Sequence, residues 1–180
     1  RGRAEAELVR NALKDRGLAS VYLSDRDSVF QTAEAADMLR WLRAVNAPGH
    51  DGLLRVALAT ASMDWSWQDL ERLNHDEQHW EQLALRTRVL QQLWQKKGVL
   101  PMLRQWLLDF DLPARWLAQP GGERRLTNVL HLAEWLQRAS TEVEGAQALI
   151  RRLAEQMDSP EGEEEILRLE SDADLIKVVT

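Results

Sequence analysis

The first thirty residues change from helical to strand-like periodicity. Ala6, Val9 and Leu13 lie one turn apart, which predicts a helix from Ala4 to Leu13. Gly17 is suitably placed to end that helix. The β-branched and aromatic run Ala19–Leu23 then predicts a short strand. A helix, a glycine and a strand in so few residues are half of an α/β repeat.

A second amphipathic helix follows the strand. Thr32 is a suitable N-cap, and Glu34 places negative charge near the helix N-terminus, where the helix dipole favours it. The positions expected to face inward repeat at helical spacing: Ala35, Met38, Leu39, Leu42 and Val45. The run Asn46–Gly52 contains proline and glycine and is expected to end the helix.

Helical periodicity continues from Leu53 to Met157. Three inward stripes are predicted there: Trp80, Leu83, Thr87, Leu90 and Trp94; Leu126, Val129, Leu130, Ala133 and Leu136; and Val143, Ala146, Ile150, Leu153 and Met157. The predicted helices are separated by Gly98, Pro101, Pro113, Pro120, Gly121 and Gly122. No fixed-period repeat is found in this block.

The chain ends in a second strand-like run. Residues 158–174 are an acidic stretch expected to be a linker. The run Leu175–Thr180 is of the kind that a parallel sheet buries. We therefore predict a mainly α protein, with a helical bundle inserted into a fragment of a parallel α/β domain. The expected units are residues 1–47, the helical insertion 48–168, and a returning strand in 169–180.

Composition narrows the class of protein. The 180 residues contain no cysteine, so disulfides and thiolate metal sites are excluded, and a reducing, cytoplasmic location is expected. The net charge is −6 but uneven, since residues 1–16 carry +2 and residues 161–174 carry −6. An acidic total argues against a large surface that coats DNA nonspecifically, but it allows a local basic strip.

Three sequence patterns are candidates for a binding site. The eight tryptophans are expected mainly in helix packing, with a partner-protein surface as the alternative. His75 and His79 have a zinc-compatible spacing, but no third ligand is evident, and a helix start capped by Asp76 is favoured. The run Gln119–Arg125 resembles an anion-binding turn but lacks the Lys-Ser/Thr of a phosphate loop, so a turn between helices is favoured.

Residues 1–45 resemble the second RecA-like motor domain of superfamily 1 DNA helicases of the UvrD/Rep/PcrA type. Those helicases show a pattern FFxRxEIxDxxxYLR after a helix and a strand. The positions in register with it here are Phe30, Glu34, Asp37, Trp41, Leu42 and Arg43. The run DADLIKVVT resembles the opening of the family's motif V. The sequences SVYLSDRDSVF and GERRLTNVLHLAEWLQ are similar to sequences in the helicase–nuclease subunits of bacterial exonuclease V.

The resemblance implies a role at the nucleic acid. It makes residues 1–47 and 169–180 part of the motor domain called 2A, and 48–168 the inserted subdomain called 2B. It places the segment after the strand beside single-stranded DNA. The expected contacts to the strand are Arg1, Arg3, Ser28, Thr32 and Thr180. Thr32 stands where the family usually has Arg, and a simple N-cap is the alternative role for it.

The same resemblance implies a non-catalytic piece of a larger enzyme. The chain contains no phosphate loop, no Asp-Glu pair for Mg²⁺ and no nuclease carboxylate cluster, so no catalytic residue and no metal site is expected in it. ATP and Mg²⁺ would bind elsewhere in the parent helicase and exonuclease, which would act in double-strand break repair and recombination. The expected partners are DNA and the other subunits of that enzyme, with no membrane. The alternative is a stand-alone helical adaptor without a nucleic-acid role.

Overall fold

The fold is that of a computed structural model, which describes residues 28–159 continuously, the segments 20–23 and 176–179, and Val9, Ala12, Leu13 and Arg16. The predicted first helix and the acidic linker lie mostly outside the described residues. Among the described residues, no helix is both long and apolar enough to cross a bilayer.

Two strands lie at opposite ends of the sequence and pair with each other. Strand β1 spans Ser20–Leu23 and β2 spans Ile176–Val179. They are parallel, with Tyr22 opposite Val178. The predicted strands Ala19–Leu23 and Leu175–Thr180 are thus confirmed over the residues that the structure describes in them. Parallel pairing requires a long connection between the strands, and here it contains the whole helical block.

Eight α-helices occupy residues 33–158. They are α1 (Ala33–Asn46), α2 (Asp51–Leu58), α3 (Trp67–His75), α4 (Glu77–Lys97), α5 (Val99–Asp109), α6 (Leu112–Leu117), α7 (Gly122–Ala139) and α8 (Ala146–Asp158). Single 3₁₀ turns precede α1 at Val29–Gln31 and follow α2 at Ala61–Met63. The mainly helical architecture is as predicted.

Helix α1 lies at the centre of this bundle. All five positions predicted to face inward on it are buried, and it packs against α2, α4, α7 and α8. The hydrophobic core is therefore continuous across residue 47, so α1 and the helical block pack as one unit.

Three tryptophan rings form the middle of the core. Trp41 stacks on Trp106 with ring centroids 5.7 Å apart and on Trp116 at 6.5 Å. All three side chains are at most 1% exposed. Because each large aromatic buries 150–250 Å² of surface, this stack is a major source of stability. Trp94 and Trp135 are also buried, and Trp65 and Trp80 are partly buried, so packing is confirmed for seven of the eight tryptophans.

The predicted stripes are largely correct, with one error. On α7, Val129, Ala133 and Leu136 are buried and Leu126 is partly buried, but Leu130 is 42% exposed. One residue along a helix turns the side chain by about 100°, so Leu130 lies beside the inward stripe that passes through Val129. The prediction that Leu130 faces inward was therefore wrong.

Candidate nucleic-acid contact

Ser28 and Thr32, the two described candidates for DNA contact, both cap helical turns. The Ser28 hydroxyl accepts a hydrogen bond from the Phe30 N–H at 3.3 Å. The Thr32 hydroxyl accepts from the Ala35 N–H at 3.3 Å and donates to the Val29 carbonyl at 2.7 Å. Both residues are partly exposed. The N-cap predicted at Thr32 is confirmed, and it fixes where α1 begins.

The same bonds limit what Thr32 can offer to a phosphate. Its single hydroxyl proton is committed to Val29, and its backbone N–H also points to the Val29 carbonyl at 3.3 Å. A phosphate at this end of α1 would therefore rely on the N–H groups of Ala33 and Glu34, which a helix start leaves without intrahelical acceptors.

A carboxylate lies in the same first turn. Glu34 is only 15% exposed, and its oxygens lie 3.2 Å from Asn128 Nδ2 and 3.8 Å from Arg125 Nε. Glu34 thus joins α1 to α7, and Arg125 compensates part of its charge. The electrostatic field at this helix end is mixed rather than cationic.

The other three candidates, Arg1, Arg3 and Thr180, lie outside the described residues. The two candidates that the structure does describe, Ser28 and Thr32, lie four residues apart around one 3₁₀ turn. Their contact with DNA stays a prediction.

The residues that match the helicase pattern mostly face the core. Asp37 is 5% exposed, and its carboxylate accepts from the Ser62 N–H at 2.9 Å and from Arg40 Nη1 at 3.1 Å. Trp41 donates through Nε1 to the Thr60 hydroxyl at 3.1 Å. These two contacts tie α1 to the turn that follows α2.

At the start of the pattern, Phe30 meets Trp135 edge to face, with centroids 4.9 Å apart. At its end, Arg43 is exposed. The pattern therefore holds the segment after β1 against the helical block.

The 3₁₀ turn after α2 is followed directly by Asp64. Asp64 takes a left-handed backbone conformation there, with φ of 54°. Gln119 Nε2 donates to its carboxylate at 2.6 Å, and Arg115 Nη2 donates to its carbonyl at 2.9 Å. These two contacts fix the turn after α2 against α6 and the residue Gln119 that follows it.

The two remaining sequence patterns have structural roles. Asp76 caps α4 by accepting from the His79 N–H at 2.9 Å, as predicted, and His75 and His79 are both exposed. Gly121 and Gly122 form the turn between α6 and α7, also as predicted. Within the described residues, no group of three potential ligands is close enough to hold a metal ion.

Sequence reasoning missed the buried polar contacts of α1. Asp37 and Ser62 are 25 positions apart, and Trp41 and Thr60 are 19 positions apart, so no local pattern joins them. The only signal was Asp37 itself, a charged residue beside Met38 and Leu39 on the apolar side of the helix.

The chain is similar over its whole length to part of a larger bacterial protein. It is 44% identical over 182 residues to "RecBCD enzyme subunit RecB" of Escherichia coli K12, with 100% of this chain and 15% of the relative covered. The subunit of the same name from Haemophilus influenzae is 39% identical over 180 residues, with 100% and 15% covered. That of Mycobacterium tuberculosis is 32% identical over 186 residues, with 98% and 16% covered. No family model matches the chain.

These matches show that the chain corresponds to a segment of a much longer subunit. It belongs to the RecB family and corresponds to one stretch of those proteins. The chain spans about 15% of the length of the relatives that it matches.

Proposed function

We propose that this chain is the non-catalytic part of a RecB-type helicase–nuclease subunit that joins the second motor domain to its inserted helical subdomain. Residues 1–47 and 169–180 would belong to RecA-like domain 2A, and residues 48–168 to subdomain 2B. The parent would be an ATP-dependent DNA helicase and exodeoxyribonuclease of double-strand break repair and recombination. ATP and Mg²⁺ would act elsewhere in it.

The observation that carries this proposal is the parallel pairing of β1 with β2. A stand-alone helical adaptor has no need for a strand at each end in parallel register. Two neighbouring strands of a larger parallel sheet, with an insertion between them, account for that pairing directly. The similarity to RecB over the entire chain supports the same interpretation.

The proposed contact to single-stranded DNA lies at the start of α1. The N–H groups of Ala33 and Glu34 would meet a backbone phosphate, with Ser28 and Thr32 lining the approach. Arg1, Arg3 and Thr180 would add further contacts. The capping bonds of Thr32 support this arrangement because they fix the direction in which those N–H groups point.

Variants at Thr32 can separate capping from DNA contact. Aspartate and asparagine are both good N-caps, so Thr32→Asp and Thr32→Asn keep the helix start and differ in one negative charge. If a phosphate lies there, the full-length subunit carrying Thr32→Asp binds a single-stranded oligonucleotide at least tenfold more weakly than the Thr32→Asn subunit, with the difference shrinking at high salt. Equal affinities of the two variants for the oligonucleotide would contradict the proposed phosphate site.

The helical block is proposed to pack on the rest of the enzyme. Its partners would be RecC-like and RecD-like subunits or the other motor domain, and its role would be to position the motor rather than to perform chemistry. The name of the relatives, a subunit of a RecBCD enzyme, supports an assembly of this kind. Co-purification of the full-length subunit with RecC-like and RecD-like proteins tests it, and a subunit that stays alone would contradict it.

A further inference from the structure

One tryptophan in this chain is not part of the core. Trp67 is 86% exposed, the largest value among the exposed large apolar residues of the described part. It is the first residue of α3 and lines an open groove on that helix. The residues of the groove are Trp67, Gln68, Glu71, Arg72, His75 and Asp76.

The helix that carries Trp67 is held firmly at its start. Ser66 and Asp69 form a reciprocal capping box, in which the Asp69 N–H donates to the Ser66 hydroxyl and the Ser66 N–H donates to the Asp69 carboxylate. Leu73 is the buried residue of α3, so most of the helix surface faces outward. The cap fixes the backbone that carries Trp67, so binding through its indole orders only the side chain, which lowers the entropy cost of binding.

The groove beside Trp67 carries a small negative charge. Among its lining residues Glu71 and Asp76 are acidic and Arg72 supplies one guanidinium, a balance of −1 with histidine neutral. That guanidinium, Arg72, already pairs with Asp69 at 3.3 Å. Stacking on nucleic-acid bases needs a cationic groove, and anionic lipid surfaces likewise require basic residues. The charge therefore disfavours both as occupants of this surface and suits a basic protein face.

We propose that Trp67 is the anchor of a protein–protein contact, in which its indole enters an apolar pocket whose rim carries Lys or Arg side chains. The acidic rim, with Glu71 foremost, would attract that basic face. Tryptophan is enriched among the residues that dominate binding energy at interfaces, and charged rims mainly speed association. This inference rests on the proposed function, since it takes the basic face to belong to a RecC-like or RecD-like subunit.

The test uses the full-length subunit and the purified RecC-like and RecD-like subunits as probes. Trp67→Ala should raise the dissociation constant of the complex roughly 30-fold, the effect of losing one dominant anchor. Leu108→Ala is the matched control because Leu108 is also large, apolar and 69% exposed but lies on α5. The control should change the dissociation constant less than about twofold, as a contact outside the interface does.

Two further variants test the chemistry of the contact. Trp67→Phe should recover part of the affinity, because it restores aromatic area to the pocket. Glu71→Lys should weaken binding at low salt and flatten its salt dependence, because it removes attraction to a basic rim. A benzoylphenylalanine placed at position 67 should cross-link to one of the two partner subunits.

The outcomes separate this inference from the proposed function. If the unmodified subunit binds neither probe, the proposed function fails and the inference fails with it. If it binds both probes but Trp67→Ala behaves like Leu108→Ala, the inference alone is overturned. A cross-link from position 67 to the subunit's own chain, or to a bound single-stranded oligonucleotide, would overturn it as well.

Discussion

The carboxylate of Asp37 accepts a hydrogen bond of 2.9 Å from the backbone N–H of Ser62, and both residues are buried. This bond joins the helix after β1 to the 3₁₀ turn Ala61–Met63. A buried carboxylate is costly unless it is satisfied, and here Arg40 supplies the second donor. Asp37 therefore fixes the turn against α1 and also requires that turn for its own stability.

Removing the carboxylate should destabilise the bundle. Asp37→Ala leaves the Ser62 N–H buried without an acceptor, and we expect the free energy of unfolding to fall by about 2–3 kcal/mol, the range for hydrogen bonds to charged groups. Asp37→Asn keeps one oxygen acceptor and should cost about 1 kcal/mol. Urea unfolding of the chain followed by circular dichroism measures both. Equal losses for the two variants would contradict the role given to the charge.

The bond between Trp41 and Thr60 should be measurable as a coupling. Thr60 accepts from Trp41 Nε1 and donates to the Ala57 carbonyl at 2.8 Å. Thr60→Val leaves the buried indole N–H of Trp41 without an acceptor, while the Ala57 carbonyl keeps the backbone N–H of residue 60 at 3.4 Å, and it should cost about 1–3 kcal/mol. The cost should be smaller in a Trp41→Phe background, where the indole N–H is already gone. A double-mutant cycle that gives no coupling energy would show that this bond adds no stability.

Gly122 should tolerate no side chain. An added Cβ would lie 1.7 Å from the carbonyl oxygen of Trp116, which is backbone and cannot move aside cheaply. We expect Gly122→Ala to lower the free energy of unfolding by about 2–3 kcal/mol or more. Gly49→Ala is the control, because nothing lies within 4 Å of its added Cβ. That variant should change stability by less than about 1 kcal/mol. Similar melting temperatures for the two variants would contradict the close approach at Gly122.

The capping box at α3 should show in the titration of Asp69. Hydrogen bonds from the Ser66 hydroxyl and N–H hold the pKa of Asp69 below its ordinary value of 3.8. A carboxyl pKa lowered by folding stabilises the folded state above its unfolded-state pKa, and this contribution is lost as pH falls through the folded-state pKa. Ser66→Ala removes the hydroxyl, so the pKa should rise toward 3.8, as measured by NMR titration of the side chain. An unchanged midpoint would show that the hydroxyl is not the cause.

The hydrophobic periodicity of the sequence correctly predicted the features of the fold that depend on local sequence. The inward positions of α1 follow from spacing alone, and Thr32 and Asp76 act as the N-caps that their residue types suggest. Strands β1 and β2 follow from their β-branched composition, and the sequence pattern also predicted that both belong to one α/β layer.

The features that the sequence did not predict depend on tertiary contacts. Trp65 and Trp67 are two residues apart in the run DWSWQ, and nothing local shows that Trp65 packs against Phe110 while Trp67 faces outward. Asp37 is buried because Ser62 and Arg40 satisfy it, a condition that only the folded chain reveals. The candidate DNA contact stays a prediction, since phosphate binding at α1 depends on the direction of the N–H groups and on the local field rather than on residue type.

The central claim is that the two ends of the chain are neighbouring parallel strands of one sheet. The chain has no cysteine, so a disulfide can be introduced without interference. Tyr22 and Val178 are opposite each other, and neighbouring strands lie within the distance that a disulfide spans. The pair Tyr22→Cys and Lys177→Cys is the control, because successive side chains of a strand point to opposite faces.

Mild oxidation of the Tyr22→Cys, Val178→Cys variant should therefore give an intramolecular disulfide, seen as faster migration on a non-reducing gel. The control pair should stay mostly reduced under the same conditions. Failure of the first pair to oxidise, or equal oxidation of both pairs, would contradict the parallel register and with it the assignment of this chain to a motor domain with an inserted helical block.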